Sequence, residues 1–197
     1  MKRTLLVGAG LLVLAASVGV ATLIYQNQKP DSAAQNTTVA LKEFSNTSQG
    51  VKLNYPVDAS VLDLTPQDVK DKFLFRASGD AEPPYSITLR YEDGLRIASQ
   101  LSKTTTRQLL LDNVFKAFPT RYPGYKKLSE RTFEHSGKQA AEIDFTYQGK
   151  DGSLARQALY IFLRDENTAY YLALQAKESD FDKLNSTFGE IAASFQL

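Results

Sequence analysis

The chain has 197 residues, 43% of them apolar and 23% charged, with a formal net charge of +1, values that suit one folded domain plus an appendage. It contains no cysteine and one histidine, which excludes disulfides, thiol nucleophiles, Cys-ligated metals and a lipidated N-terminal cysteine. Without Lys2 and Arg3, residues 26–197 hold 21 basic and 22 acidic side chains, a balance that argues against nucleic acid as a partner.

Residues 4–25 carry no charge over 22 positions. As a helix this run would span roughly 33 Å, enough for a hydrocarbon core of about 30 Å. Lys2 and Arg3 precede it, and a near-neutral flank follows. The positive side stays cytoplasmic, so the rest of the chain is expected outside. Gly19-Val20-Ala21 also offers a cleavage site that would release a secreted protein, but the apolar run continues through Leu23, Ile24 and Tyr25. The expectation is a transmembrane signal anchor over 1–25 and a flexible tether over 26–43, followed by a domain from 44 to 197.

Within the domain, Val51 to Pro56 alternates as a short strand, and 73–77 reads as a second. Tyr85, Ile87, Leu89 and Tyr91 alternate with Ser86, Thr88 and Arg90, predicting a half-buried strand with one polar face. From 94 to 118 the period changes. Leu111, Val114, Phe115 and Phe118 fall at helical spacing, with Thr104 to Thr106 as the cap and Pro119 as the stop. Four strands follow, over 126–135, 139–147, 154–164 and 168–176, split by short turns that predict an antiparallel meander. The last two are apolar on both faces and belong at the centre of a covered sheet. A closing helix begins at Ser179 and Asp182, with Phe181, Leu184, Phe188, Ile191 and Phe195 along one stripe. Gly189 within it suggests close packing. The sum is an α+β domain with helices against an antiparallel sheet of six or seven strands.

Gly50-Val51-Lys52-Leu53-Asn54-Tyr55-Pro56 resembles the opening of the PsbP/Mog-type superfamily, which includes PsbP-like and DcrB-like extracytoplasmic domains. So do Tyr122-Pro123-Gly124-Tyr125-Lys126 after a long helix, the hairpins at Gly137-Lys138 and Asp151-Gly152, and the closing Ser194-Phe195. The resemblance implies an α/β/α sandwich over residues 44–197 and a non-catalytic accessory or interaction role, with no ligand-binding residue to carry over. Relatives often carry a Trp a few residues after the opening Tyr-Pro; here Val57-Asp58-Ala59-Ser60 follows, which leaves the branch open.

Candidate chemistry is sparse, and no cofactor is expected. His135 falls at a hairpin, with no G-x-S-x-G serine to serve, and reads as a solvated turn residue. Glu142 and Asp144 share a strand face, as an acid–base pair or a cation site would require. Arg131, Lys138 and Arg156 on the neighbouring strands favour ion pairing instead. Arg121, Tyr122, Tyr125, Lys126 and Lys127 combine aromatic and basic groups in a loop and form the candidate interaction surface, although the two tyrosines could equally pack under the helix. The leading expectation is a membrane-tethered interaction module with a protein partner. A carrier with a Tyr- and Phe-lined pocket between sheet and helix comes second, and a carboxylate-based envelope hydrolase third.

Overall fold

The computed structural model describes residues 39–80 and 82–197. The expected anchor lies outside them; among the described residues no helix is long and apolar enough to cross a membrane.

In chain order the elements are β1 (Leu41–Asn46), β2 (Val51–Pro56), β3 (Ser60–Val61), α1 (Pro66–Lys70), β4 (Phe73–Gly79), β5 (Tyr85–Glu92), α2 (Leu95–Ser102) and α3 (Thr106–Arg121). They continue with β6 (Lys126–His135), β7 (Lys138–Gln148), β8 (Leu154–Leu163), β9 (Ala169–Lys177) and α4 (Glu178–Ala193). Seven strands form one sheet in the order β3-β4-β5-β9-β8-β7-β6, all neighbours antiparallel, while β1 and β2 form a separate hairpin. The meander from β6 to β9 matches the turn spacing, and β9 lies at the centre, as its two apolar faces require.

Alternation along the strands divides the core in two. One face carries Phe75, Ile87, Leu89, Tyr160, Phe162, Tyr170 and Leu172, covered by α4 and the β1–β2 hairpin. Phe181, Leu184, Phe188, Ile191 and Phe195 of the closing segment all point into it. Phe44 and Tyr55 of the hairpin meet Phe75 at ring-centroid distances of 4.6 and 4.8 Å. The other face carries Ala141, Ile143, Phe145, Leu159, Ile161 and Tyr171, covered by Leu95 of α2 and Leu110, Leu111, Val114 and Phe118 of α3. The architecture is α+β, helices on both faces of an antiparallel sheet.

Several local expectations change. Strand β1 occupies the end of the expected tether, with only Leu41 and Phe44 as apolar signals. The stretch 94–118 is two helices, because Lys103 turns the chain at φ 53° and Thr105 starts a new helix by accepting from the Gln108 amide at 3.2 Å. Pro119 sits inside the last turn of α3 and does not end it; the Tyr122 amide still reaches the Phe118 carbonyl at 2.8 Å. Helix α4 starts at Glu178, ahead of Ser179, with Glu178 and Asp180 in its first turn. A Cβ at Gly189 would meet nothing within 4 Å, so close packing is not its reason. At Gly79 the opposite holds: the Tyr85 ring from the facing strand lies over it, and a Cβ would fall inside that ring.

Candidate interaction surface

The five residues expected to form one surface go to three different places. Tyr122 is 5% exposed. Its ring centroid lies 5.0 Å from Phe118, 5.2 Å from Phe145 and 4.7 Å from Tyr147. Tyr125 packs 5.3 Å from Phe145. The loop that brings it back turns through Gly124 at φ 68° and is tied to the sheet by the Gln148 amide on the Pro123 carbonyl at 2.7 Å. Burial pushes both phenols above their ordinary pKa; Tyr122 belongs to the core, and Tyr125 packs half-buried against it. Lys126 is exposed, and Lys127 lies 4.4 Å over the Phe115 ring and 3.0 Å from Glu130. Arg121 is half-buried on the other flank of α3. Burial lowers its pKa; the nearby Tyr122 opposes that, Arg90 adds to it, and Asp71 opposes it.

His135 is not a solvated turn residue. The hairpin turns at Ser136 (φ 52°) and Gly137 (φ 72°), leaving His135 as the last residue of β6. Its ring lies 4.9 Å from Phe162, and Nε2 bonds to the Phe195 carbonyl, pinning the end of the chain to the sheet. Glu142 and Asp144 do share a face, and both are taken up by neighbours. Arg131, directly opposite on β6, pairs with Glu142, which also accepts from the Tyr160 hydroxyl at 3.1 Å. Arg156 binds Asp144 through Nε at 3.0 Å and Nη2 at 2.6 Å, and spans to Asp182 of α4 at 3.0 Å. Its guanidinium lies 4.3 Å over Phe181. These groups lock β6, β7, β8 and α4 together, as cross-strand pairing predicts. Lys138 faces His135 in the register instead. Among the described residues no three acidic or histidine side chains converge as a metal ion would need.

A recess between α3 and the sheet does exist, lined by Arg107, Leu110, Leu111, Ala140, Ala141, Ile161 and Leu163. Its volume is about 10 Å³, space for one water at most, and its walls are aliphatic, not aromatic.

Two features were not foreseen. Helix α1 begins with a capping box: the Asp68 amide donates to Thr65 Oγ1 at 3.1 Å, and the Thr65 amide donates to Asp68 Oδ2 at 2.9 Å. The same carboxylate receives Arg76 Nη1 at 3.0 Å on both oxygens, fixing α1 over β4. The signal was present as Thr65-Pro66-Gln67-Asp68, a cap followed by proline at the first helical position. The second is α2, whose Ile97 and Leu101 are 65% and 79% exposed, one turn apart on its outer side. No acidic residue occurs from 94 to 111, while Arg96, Lys103 and Arg107 do.

The family model described as serine/threonine kinase C-terminal domain matches residues 99–197, from the end of α2 through α4. The chain belongs to this family. No curated protein matches it. Solved structures similar to this chain share its fold at low identity. The solution structure of cyanobacterial PsbP (CyanoP) from Synechocystis sp. PCC 6803 has a TM-score of 0.58 at 12% identity, covering 85% of this chain and 98% of its own. The Ran-binding protein Mog1p of Saccharomyces cerevisiae has 0.57 at 10% identity, covering 81% and 96%. LpqN of Mycobacterium tuberculosis, described as involved in cell envelope biogenesis, has 0.52 at 13% identity, covering 82% and 86%. The PsbP/Mog-like fold expected from the resemblance is the fold of this chain.

Proposed function

We propose that this protein is a non-catalytic interaction module, held outside the cytoplasm by a membrane anchor at residues 4–25, that docks a protein partner through α2. The observation that carries this reading is the pair Ile97 and Leu101, apolar side chains at i, i+4 that the fold leaves in water. Beside them Arg96 pairs with Glu166 at 3.7 Å, so the apolar pair and not a net charge defines the surface.

Three further points support it. Glu142, Asp144 and His135, the residues a hydrolase would use, are engaged in bonds that hold the fold together. The matching family is described as a serine/threonine kinase C-terminal domain, a description compatible with an accessory role. The fold is shared with proteins described as binding Ran or involved in envelope biogenesis.

The test is co-purification from solubilised membranes after in-cell cross-linking. Wild type should bring down one dominant partner, and the double variant Ile97→Asp, Leu101→Asp should lose it while keeping its circular dichroism and melting temperature. Recovery of the wild-type protein alone, or equal recovery of the partner by the variant, contradicts the proposal.

A further inference from the structure

The seven-stranded sheet ends in two unlike edges. Strand β3 has 2 residues, while β6 has 10. Strand β6 pairs with β7 on one side only, so the amides and carbonyls of its outer side are open. Lys126 to Thr132 and Glu134 are exposed, and Phe133 and His135 are half-buried, so no described element covers this edge. Bulges blunt many such edges, but here the extra residue, Leu128, lies near the start of the strand and leaves Ser129 to His135 in regular register.

The register also fixes which way each side chain points, because residues directly opposite on antiparallel strands share a face. Lys127, Glu130 and Thr132 lie opposite Phe145, Ile143 and Ala141, on the side covered by α3. Arg131 and Phe133 lie opposite Glu142 and Ala140, on the side covered by α4. Any strand added to this edge must obey the same alternation. For a second copy of β6, related by a two-fold axis perpendicular to the sheet, one residue must then face its own counterpart. An axis at Glu130 sets that carboxylate against itself, and an axis at Thr132 sets Glu130 against Glu134. Further along, only half of the strand would pair. An axis at Arg131 uses the whole strand. Glu130 then faces Thr132, Ser129 faces Phe133 and, with Leu128 bulged out of the count, Lys127 faces Glu134 on the same side of the sheet. The two Arg131 side chains meet at the axis, each already paired with its own Glu142.

We propose that β6 pairs antiparallel with β6 of a second copy of this chain about Arg131, joining two sheets into one, with Lys127 of each copy opposite Glu134 of the other. Lys127 reaches Glu130 at 3.0 Å within its own chain and lies on the exposed edge, so a second carboxylate can share it. The chain termini agree with this symmetry. The β1–β2 hairpin and α4 cover one face, and a two-fold axis perpendicular to the sheet returns each face to itself. Both chains therefore enter at β1 from the same side, as two copies anchored in one membrane require. That last argument rests on the anchor reading; the register does not. The edge is distinct from α2, so the dimer leaves Ile97 and Leu101 open to another protein.

The test follows the mass of the full chain in detergent by light scattering, from about 1 to 100 μM. Wild type should become a dimer within that range. Lys127→Glu puts acid opposite acid and Glu134→Lys puts base opposite base, so each variant alone should dimerise at least about tenfold more weakly. Mixed in equal amounts they should pair as strongly as wild type, since both opposed positions then hold one Glu and one Lys. Glu130→Cys and Thr132→Cys copies with different tags should form a disulfide with each other faster than with themselves, because only directly opposite residues come within bridging distance. A wild-type chain that stays monomeric overturns the proposal, even if this edge captures another protein. A dimer that neither variant weakens also overturns it, since association then runs through another part of the chain. So does a mixture that pairs no better than its components. None of these results bears on the α2 partner, whose loss is read by co-purification.

Discussion

Phe145→Ala should destabilise the domain by about 3–5 kcal/mol, the cost of deleting a fully enclosed aromatic ring. Phe145 is wholly buried on β7. Its ring contacts Phe118 at 5.0 Å, Tyr122 at 5.2 Å and Tyr125 at 5.3 Å, so a single side chain joins α3, the loop after it and the sheet. Small domains have only about 5–15 kcal/mol in total, so much of the stability would go. Urea unfolding at neutral pH reads the effect as a lower midpoint with an unchanged slope. A loss under about 1 kcal/mol would mean that α3 is not seated on this face as described.

Asp68→Ala should cost about 3 kcal/mol, because it removes one partner of a buried pair and leaves the other. The Asp68 and Arg76 side chains are 2% and 13% exposed. The substitution also removes half of the capping box of α1. The pH dependence has a definite sign. Burial alone would raise the Asp68 pKa, but hydrogen bonds from Thr65 and the charge and hydrogen bond of Arg76 outweigh it, so the folded value lies below the ordinary one. Its contribution is therefore fully present above the unfolded carboxylate pKa of about 4, and is lost as pH falls through the lower folded value. Wild type and Asp68→Ala should differ most at neutral pH, and the gap should narrow as pH falls below the ordinary carboxylate range. A gap that stays constant in urea titrations across that fall would contradict the ion-pair account.

The parts of the fold that repeat a short period were legible. Strands β6 to β9 alternate cleanly between short turns, and α4 shows its stripe from Phe181 to Phe195. What failed depends on neighbours distant in the chain. Strand β1 has two apolar residues and becomes a strand only because β2 pairs with it and Phe75 lies beneath. Tyr122 and Tyr125 looked like a surface motif because Arg121, Lys126 and Lys127 flank them. Tyr122 is nevertheless four residues after Phe118 and continues the buried stripe of α3, a signal strong enough to have decided the matter. His135 could not be placed from its turn, since its partner is the Phe195 carbonyl 60 residues away. The polar face of β5 was visible as Ser86, Thr88 and Arg90. In the folded chain these three are half-buried, with Arg90 4.6 Å over the Tyr171 ring of the neighbouring strand.

The central claim, a domain held outside the cytoplasm by its N-terminal segment, has a direct test because the chain has no native cysteine. Lys116→Cys puts a single thiol on the exposed side of α3. Intact cells expressing this variant are treated with a membrane-impermeant maleimide, and the labelled protein is followed through membrane fractionation. Labelling without lysis, on a protein that sediments with membranes and resists carbonate extraction, is the result this account predicts. A thiol that reacts only after lysis contradicts it.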